Sequence, residues 1–465
     1  MLRPTEARRM RWNPMQHSFM PSSATTSRLL MAAFLGLVAP GFVAAGCFAA
    51  TSAAAAPTDP PAKGEQETGA LRPEEAAGLA AEIAPIVEEI RGLKFKRAVP
   101  VQVVDDATAR GHFKERMGKY WPEAQIRSEE RVYTDLGLLP AKTDLVAQIF
   151  DVLEEQAGGY YDPERDTFFV LGDMPRATAP IIMAHELTHA LDDQTFGIDA
   201  LLDKARDNDR EGALDAVVEG SGTVVMTVFI VRQVTAGKMD PKVLIEFQNS
   251  EAGRAERLKA APLFVQRSLI APYILGMAFL LRGEMIRMQT GGITPSDIDH
   301  AFREPPQSTE QILHPEKYWD PARRDPPRAV NLPDLSSTLG PGWKRSADGS
   351  LGELTLALLT GLDPGDPTST DQPLERWTNA AASGWGGDLW NLYRNGERSV
   401  TVLATVWDTE RDAREFEAAF QAPAGARLKR KRDAVVVVVG DADAGATTLL
   451  DKAVAAAARG SKAKN

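Results

Sequence analysis

The stretch Ile181-Ile-Met-Ala-His-Glu-Leu-Thr-His-Ala-Leu-Asp-Asp-Gln194 decides how the rest of the chain is read. It carries His185, Glu186 and His189 in the pattern H-E-x-x-H. On an α-helix, residues four apart share a face, so both imidazoles can reach one metal ion. Glu186 points to the side, where a carboxylate can act as general base on a water held by that metal. Ile182, Leu187, Ala190 and Leu191 give the helix apolar positions to bury, and Pro180 stands where a first turn tolerates proline. Only six histidines occur in 465 residues. The pattern is therefore specific, but alone it leaves open a helix that merely carries two histidines.

A catalytic zinc site takes three protein ligands and keeps one position open. The one cysteine, Cys47, lies in the leader, which removes disulfides and thiolate ligands from the folded part. The better third ligand lies in Glu211-Gly-Ala-Leu-Asp-Ala-Val-Val-Glu-Gly-Ser-Gly222. There Glu219 stands among valines, a costly place for an ionised carboxylate unless it is paired or binds a metal. Gly220, Ser221 and Gly222 remove bulk and would let this helix approach the motif helix. Glu211 is the fallback ligand. Asp215, one turn before Glu219, and Asp193, one turn after His189, are suited to support a ligand histidine.

His185-Glu-Leu-Thr-His-Ala-Leu-Asp-Asp193 resembles the active-site helix of thermolysin-like metallopeptidases. With Glu219 as third ligand, the chain resembles a gluzincin, and more particularly a group of exported bacterial proteins known mainly as predicted zinc metallopeptidases. The second helix comes about ten residues later than in thermolysin, and Asp215 precedes the glutamate where the familiar pattern has an Asp after it. The resemblance covers residues 158–222 most closely. It implies a zincin-like α+β fold, one zinc ion per chain, and hydrolysis of peptide bonds.

The expected fold class is α+β: a mostly helical zincin-like core with a small edge-strand sheet, then a smaller C-terminal α+β unit. Residues 1–56 read as a leader, with Arg3, Arg8, Arg9, Arg11 and Arg28 ahead of the apolar run Leu29 to Val43. The small residues before Cys47 resemble a lipoprotein signal, which would place a lipid on that cysteine; a cut near Ala54 to Ala56 would instead give a free secreted protein. The expected location is outside the cytoplasm, in the periplasm or anchored to the outer membrane. The chain carries a formal charge of −11, and the leader holds five Arg and one Glu. The processed chain is still more acidic, which argues against nucleic-acid binding.

Residues 57–70 read as a disordered tether and 71–320 as the metallopeptidase domain. Within the domain, helices are expected over 73–90, 107–120 and 145–156, and a strand over 99–104. A hairpin is expected from Gly158-Gly-Tyr-Tyr-Asp-Pro163 into Thr167-Phe-Phe-Val-Leu171. Its strand carrying Tyr160 and Tyr161 is placed to bind substrate as a sheet edge beside the cleft; an ordinary structural hairpin is the alternative. Val224 to Val231 and Ser268 to Arg282 are apolar but too short to span a membrane. His314 is the candidate oxyanion donor, with a structural histidine capping a turn as its rival.

Residues 321–350 read as a linker and 351–460 as the C-terminal unit. There the pattern predicts a helix over 352–362, strands at 384–393 and 400–407, a helix over 411–420 and a strand over 434–440. The basic run Arg427 to Arg432 reads as a solvated turn. The expected function is an exported zinc peptidase with His185, His189 and Glu219 as ligands and Glu186 as base. Two alternatives stand beside it. One is a non-catalytic envelope protein with a structural zinc closed by Asp215 or His314; the other is a zinc amidase acting on cell-wall peptides.

Overall fold

The structure is a computed structural model and describes residues 71–460 apart from 157, 206, 254–255, 285–292, 363–375 and 443–445. The leader, the tether and Cys47 lie outside the described residues. The first helix, α1 (Pro73–Arg91), has proline at its start, Glu74 and Glu75 in its first turn, and Gly92 as a left-handed cap. Its face of Ile83, Val87 and Ile90 is buried. A three-stranded sheet follows, built from β1 (Val101–Val104), β2 (Gly159–Asp162) and β3 (Thr167–Leu171) in the order β1-β3-β2. The hairpin β2–β3 is antiparallel and β1 lies parallel to β3. Between β1 and β2 run α2 (Asp106–Tyr120), α3 (Glu123–Leu136) and α4 (Leu145–Gln156). The sequence pattern does not announce α3: Arg127, Glu129, Glu130 and Arg131 interrupt it, although Ile126, Val132, Tyr133 and Leu136 are buried.

Three helices form the centre. The motif helix α5 (Ala179–Phe196) stops at Gly197, whose φ of 70° makes glycine the easy residue there. The 28-residue α6 (Asn208–Thr235) starts at Asp207, whose side chain accepts from the Arg210 amide. It is buried nearly all round from Asn208 to Ile230, so the carboxyls of Asp209, Glu211, Asp215 and Glu219 are buried with its apolar side chains. Beyond α7 (Pro241–Gly253), the apolar α8 (Leu263–Leu280) packs on α6 and is itself mostly buried. The two touch backbone to backbone: a Cβ on Gly276 would stand 1.8 Å from the Ala216 carbonyl oxygen. Gly220 serves this crossing with α8, not the approach to α5 that its sequence position suggests.

After α9 (Pro295–Arg303) and α10 (Thr309–Leu313) the chain builds a second sheet. Its strands are β4 (Lys344–Gly349), β5 (Trp385–Asn395), β6 (Arg398–Trp407), β7 (Arg427–Lys431) and β8 (Ala434–Gly440) in the order β4-β5-β6-β8-β7, antiparallel throughout. α11 (Gly352–Leu359) and α12 (Glu410–Ala419) interrupt it, and α13 (Ala446–Gly460) covers one face. Val436 and Val438 meet α13, while Val435, Val437 and Val439 join the core shared with the first unit. A valine run buried on both faces needs no polar alternation.

Two expectations are corrected. The segment read as a linker already belongs to the C-terminal unit: β4 lies within it, and Leu332, Leu335 and Trp343 join the core under α13. The basic run is an edge strand, β7, not a turn; lysines and arginines on an edge discourage pairing with another chain. The units are also stitched together, with Thr401 Oγ1 donating to Asp135 Oδ2 at 2.7 Å and Ser350 Oγ to Asp207 Oδ1 at 3.0 Å.

Candidate metal centre

Helical spacing brings His185 and His189 to one face of α5, ring centroids 4.5 Å apart and nearly perpendicular. From α6, Glu219 Oε2 comes within 3.1 Å of His185 Nε2 and 3.4 Å of His189 Nε2. Gly222 makes this approach possible, since a Cβ there would lie 2.6 Å from His185 Cε1. All three ligand candidates are fully buried. Glu186 is buried beside them; its Oε2 accepts from the Tyr161 amide at 2.9 Å, and its Oε1 has no partner.

These residues fit a zinc ion. Tetrahedral zinc with bonds of roughly 2.0–2.2 Å places neighbouring ligand atoms about 3.4 Å apart, close to the spacings found. His189 Nε2 and Glu219 Oε1 are buried with no hydrogen-bond partner, a costly condition that a bound cation relieves. The imidazoles are in the state a metal takes, while burial pushes the Glu219 carboxyl up, which a bound cation would offset. Burial, then neighbouring His189, holds the His185 ring below the usual imidazole range, and burial holds His189 down to about 4. Both therefore stay neutral, as metal ligands must. Burial, and next the Glu219 carboxylate, keeps the Glu186 proton well above the usual carboxylate range.

The sequence leaves several supporting residues unassigned. Asp192, not Asp193, faces the ligands: Arg91 Nε donates to its Oδ1 at 2.8 Å and Ser221 Oγ to its Oδ2 at 2.6 Å. Its charge acts on His189. This buried group ties α1, α5 and α6 together. Asp193 instead accepts from Tyr161 Oη at 3.0 Å and the Ile198 amide at 2.9 Å, which stitches the end of α5 to β2. At about 100° per residue, Asp192 sits about 40° from the midline between the histidines and Asp193 about 60° on the other side; that is the signal that could have separated them. Tyr273 on α8 hydrogen-bonds Glu219, and its ring lies 5.9 Å from His185. No spacing rule links it to the motif.

Other expected site residues fall elsewhere. His314 Nε2 pairs with Glu353 on α11 at 2.9 Å and does not join the ligand cluster; α10 docks near the start of α6, by Asp209, and this carries His314 away from Glu219. Tyr160 bonds His112 Nδ1 at 2.7 Å within an aromatic cluster, and the Tyr161 phenol reaches Asp166 and Asp193. β2 is a sheet edge as expected, but both phenols are buried away from the ligands, and only the Tyr161 amide meets the site. Asp215 contacts neither histidine; both its oxygens are buried without a partner.

Residues 339–462 match a family model described as a domain of unknown function, DUF8575. That match covers the C-terminal unit and leaves the buried ligand cluster outside it. No curated protein and no solved structure matches the chain.

Proposed function

We propose that the chain is a zinc-dependent hydrolase of peptide bonds on a zincin-like scaffold. The observation that carries this reading is the convergence of His185, His189 and Glu219 at 3.1–3.4 Å beside the unpartnered oxygen of Glu186. A zinc ion there would supply Lewis acidity, polarising a carbonyl and acidifying water. Glu186 takes the proton from the attacking water and later delivers it to the leaving amine. The Tyr161 amide fixes one oxygen of Glu186 and leaves the other for that transfer. Tyr273 holds Glu219 in place and, as the hydroxyl at the ligand set, takes the oxyanion-donor role expected of His314. Export, and a lipid on Cys47, belong to the same proposal and rest on the leader sequence.

The complete burial of the cluster favours a second reading, a structural zinc in a non-catalytic protein. A closed structural site needs a fourth protein ligand, and neither Asp215 nor His314 joins the cluster. Substitution of Glu186 by Gln separates the two. The expected result is one zinc per chain and peptide cleavage lower by about 10²–10⁴-fold, read by elemental analysis and by cleavage of a mixed peptide pool. Wild-type cleavage by that variant overturns the hydrolase reading; zinc binding with no cleavage by the wild type establishes the structural one.

A further inference from the structure

A cavity with about 70 Å³ of room for solvent lies between α6, α8, α10 and α11. At roughly 10–15 Å³ per water it would hold about five. Its walls are mostly apolar, with Phe264, Pro272, Leu275, Ile312 and Leu354 among them, and Asp215 stands in the lining. Asp215 is 2% exposed, and neither of its oxygens has a hydrogen-bond partner. Burial, with the Glu211 and Glu219 carboxylates adding to it, pushes the Asp215 carboxyl well above the usual carboxylate range, so its charge calls for a cationic partner. Asp209 also stands in the lining, its Oδ1 accepting from the Thr309 amide at 3.0 Å, so the space is mostly apolar with two carboxyls, of which Asp215 is the one without a partner.

We infer that this cavity is a subsite for the cationic side chain of a lysine or arginine in the substrate, whose charge Asp215 receives. The inference rests on the hydrolase reading and names its substrate class. Asp215 lies one helical turn from Glu219, about 6 Å along the axis, within reach of a long basic side chain whose backbone is held at the metal centre. Pro272 and Leu275 flank Tyr273 in sequence, so α8 also contributes to both places. A hard metal cation fits poorly, because such ions take six or more oxygen ligands. A basic side chain matches the cavity at both ends: the stem lies along apolar walls and the charge meets the carboxylate.

The test uses the zinc-loaded full chain in two arms. In the first, calorimetry compares n-butylammonium with n-butanol. The expected result is at least about ten-fold tighter binding of the ammonium, with the preference lost in Asp215→Asn. Thr355→Phe, at the half-buried wall, fills the cavity without touching the carboxylate and should weaken both probes; it decides the matter if Asp215→Asn does not fold. In the second arm, cleavage sites in a peptide pool are mapped by mass spectrometry. Cleavage at a fixed position relative to Lys or Arg, with that preference lost in Asp215→Asn, supports the subsite. Equal binding of the two probes overturns it, whether or not peptides are cut. Ammonium preference with no peptide cleaved leaves the subsite standing and overturns the hydrolase reading instead.

Discussion

Among the described residues two triplets of metal-type ligands lie buried or half-buried, and their difference separates a proposed metal site from a charge cluster. His185, His189 and Glu219 bring ligand atoms within 4.8 Å of one another, and so do Glu310, Asp325 and Asp408. In the second triplet the fold supplies its own cation. Lys317 Nζ lies 2.5 Å from Glu310, 3.3 Å from Asp325 and 3.5 Å from Asp408. In the first, Glu219 meets only the two histidines among the ion pairs of the described residues, and Arg91 is engaged by Asp192 and Asp299. Buried charge must be neutralised by some partner. Where the chain provides none at the cluster, a ligand from outside is called for.

The largest effect expected from this contrast is on metal content. Glu219→Ala should take zinc from one per chain to none after chelation and reconstitution, with peptide cleavage lost. Asp325→Ala should leave zinc at one. Elemental analysis reads both, and zinc retained by the first variant or lost by the second would erase the distinction.

Next in size is stability. Lys317→Met leaves three carboxylates without their cation, and breaking a buried pair this way costs about 4 kcal/mol. Urea unfolding should show that loss equally with and without a chelator, because no metal belongs to that cluster. A loss that zinc repairs would instead make it a second metal site.

The convergence of His185, His189 and Glu219 was legible because it obeys helix geometry and burial logic: a fixed spacing for the two histidines, and a carboxylate among valines for Glu219. What was illegible depends on packing between distant elements. Arg91 meets Asp192 across 101 residues, and Tyr273 meets Glu219 only because two glycines let α6 and α8 touch. Residue type marks His314 as a possible donor but does not state its position. Proximity to the site depended on where α10 docked, which the chain order does not state. Most strands and helices were readable from periodicity; β7 was not, since Arg427-Leu-Lys-Arg-Lys431 shows charge first and alternation second.

A pH ramp acts on the imidazoles. The unfolded His189 ring takes a proton near 6.5, while burial holds the folded ring down to about 4. The metal-free protein should therefore have this contribution in full above pH 6.5 and lose it as pH falls toward 4. For this ring the span is about 3 kcal/mol. Unfolding in chelator at pH 7.5, 6 and 5 samples about 2 kcal/mol of that span, and His189→Gln should flatten the slope accordingly. An unchanged slope would show that the ring is not buried neutral.

The smallest effect concerns how the ligand cluster is held. Ser221→Ala removes the hydroxyl that donates to Asp192 Oδ2 and leaves the Arg91 contact in place. Loss of one such hydrogen bond costs about 1 kcal/mol, and the zinc affinity should fall by less than the roughly 10–100-fold seen when a ligand's supporting partner is removed outright. Asp192→Asn goes further, since it strips the charge that acts on His189 and that Arg91 pairs with. Competition with a zinc-chelating dye resolves the two. If both variants bind zinc as the wild type does, Asp192 only ties the helices together; a graded loss, smaller for Ser221→Ala, makes it the group that positions His189.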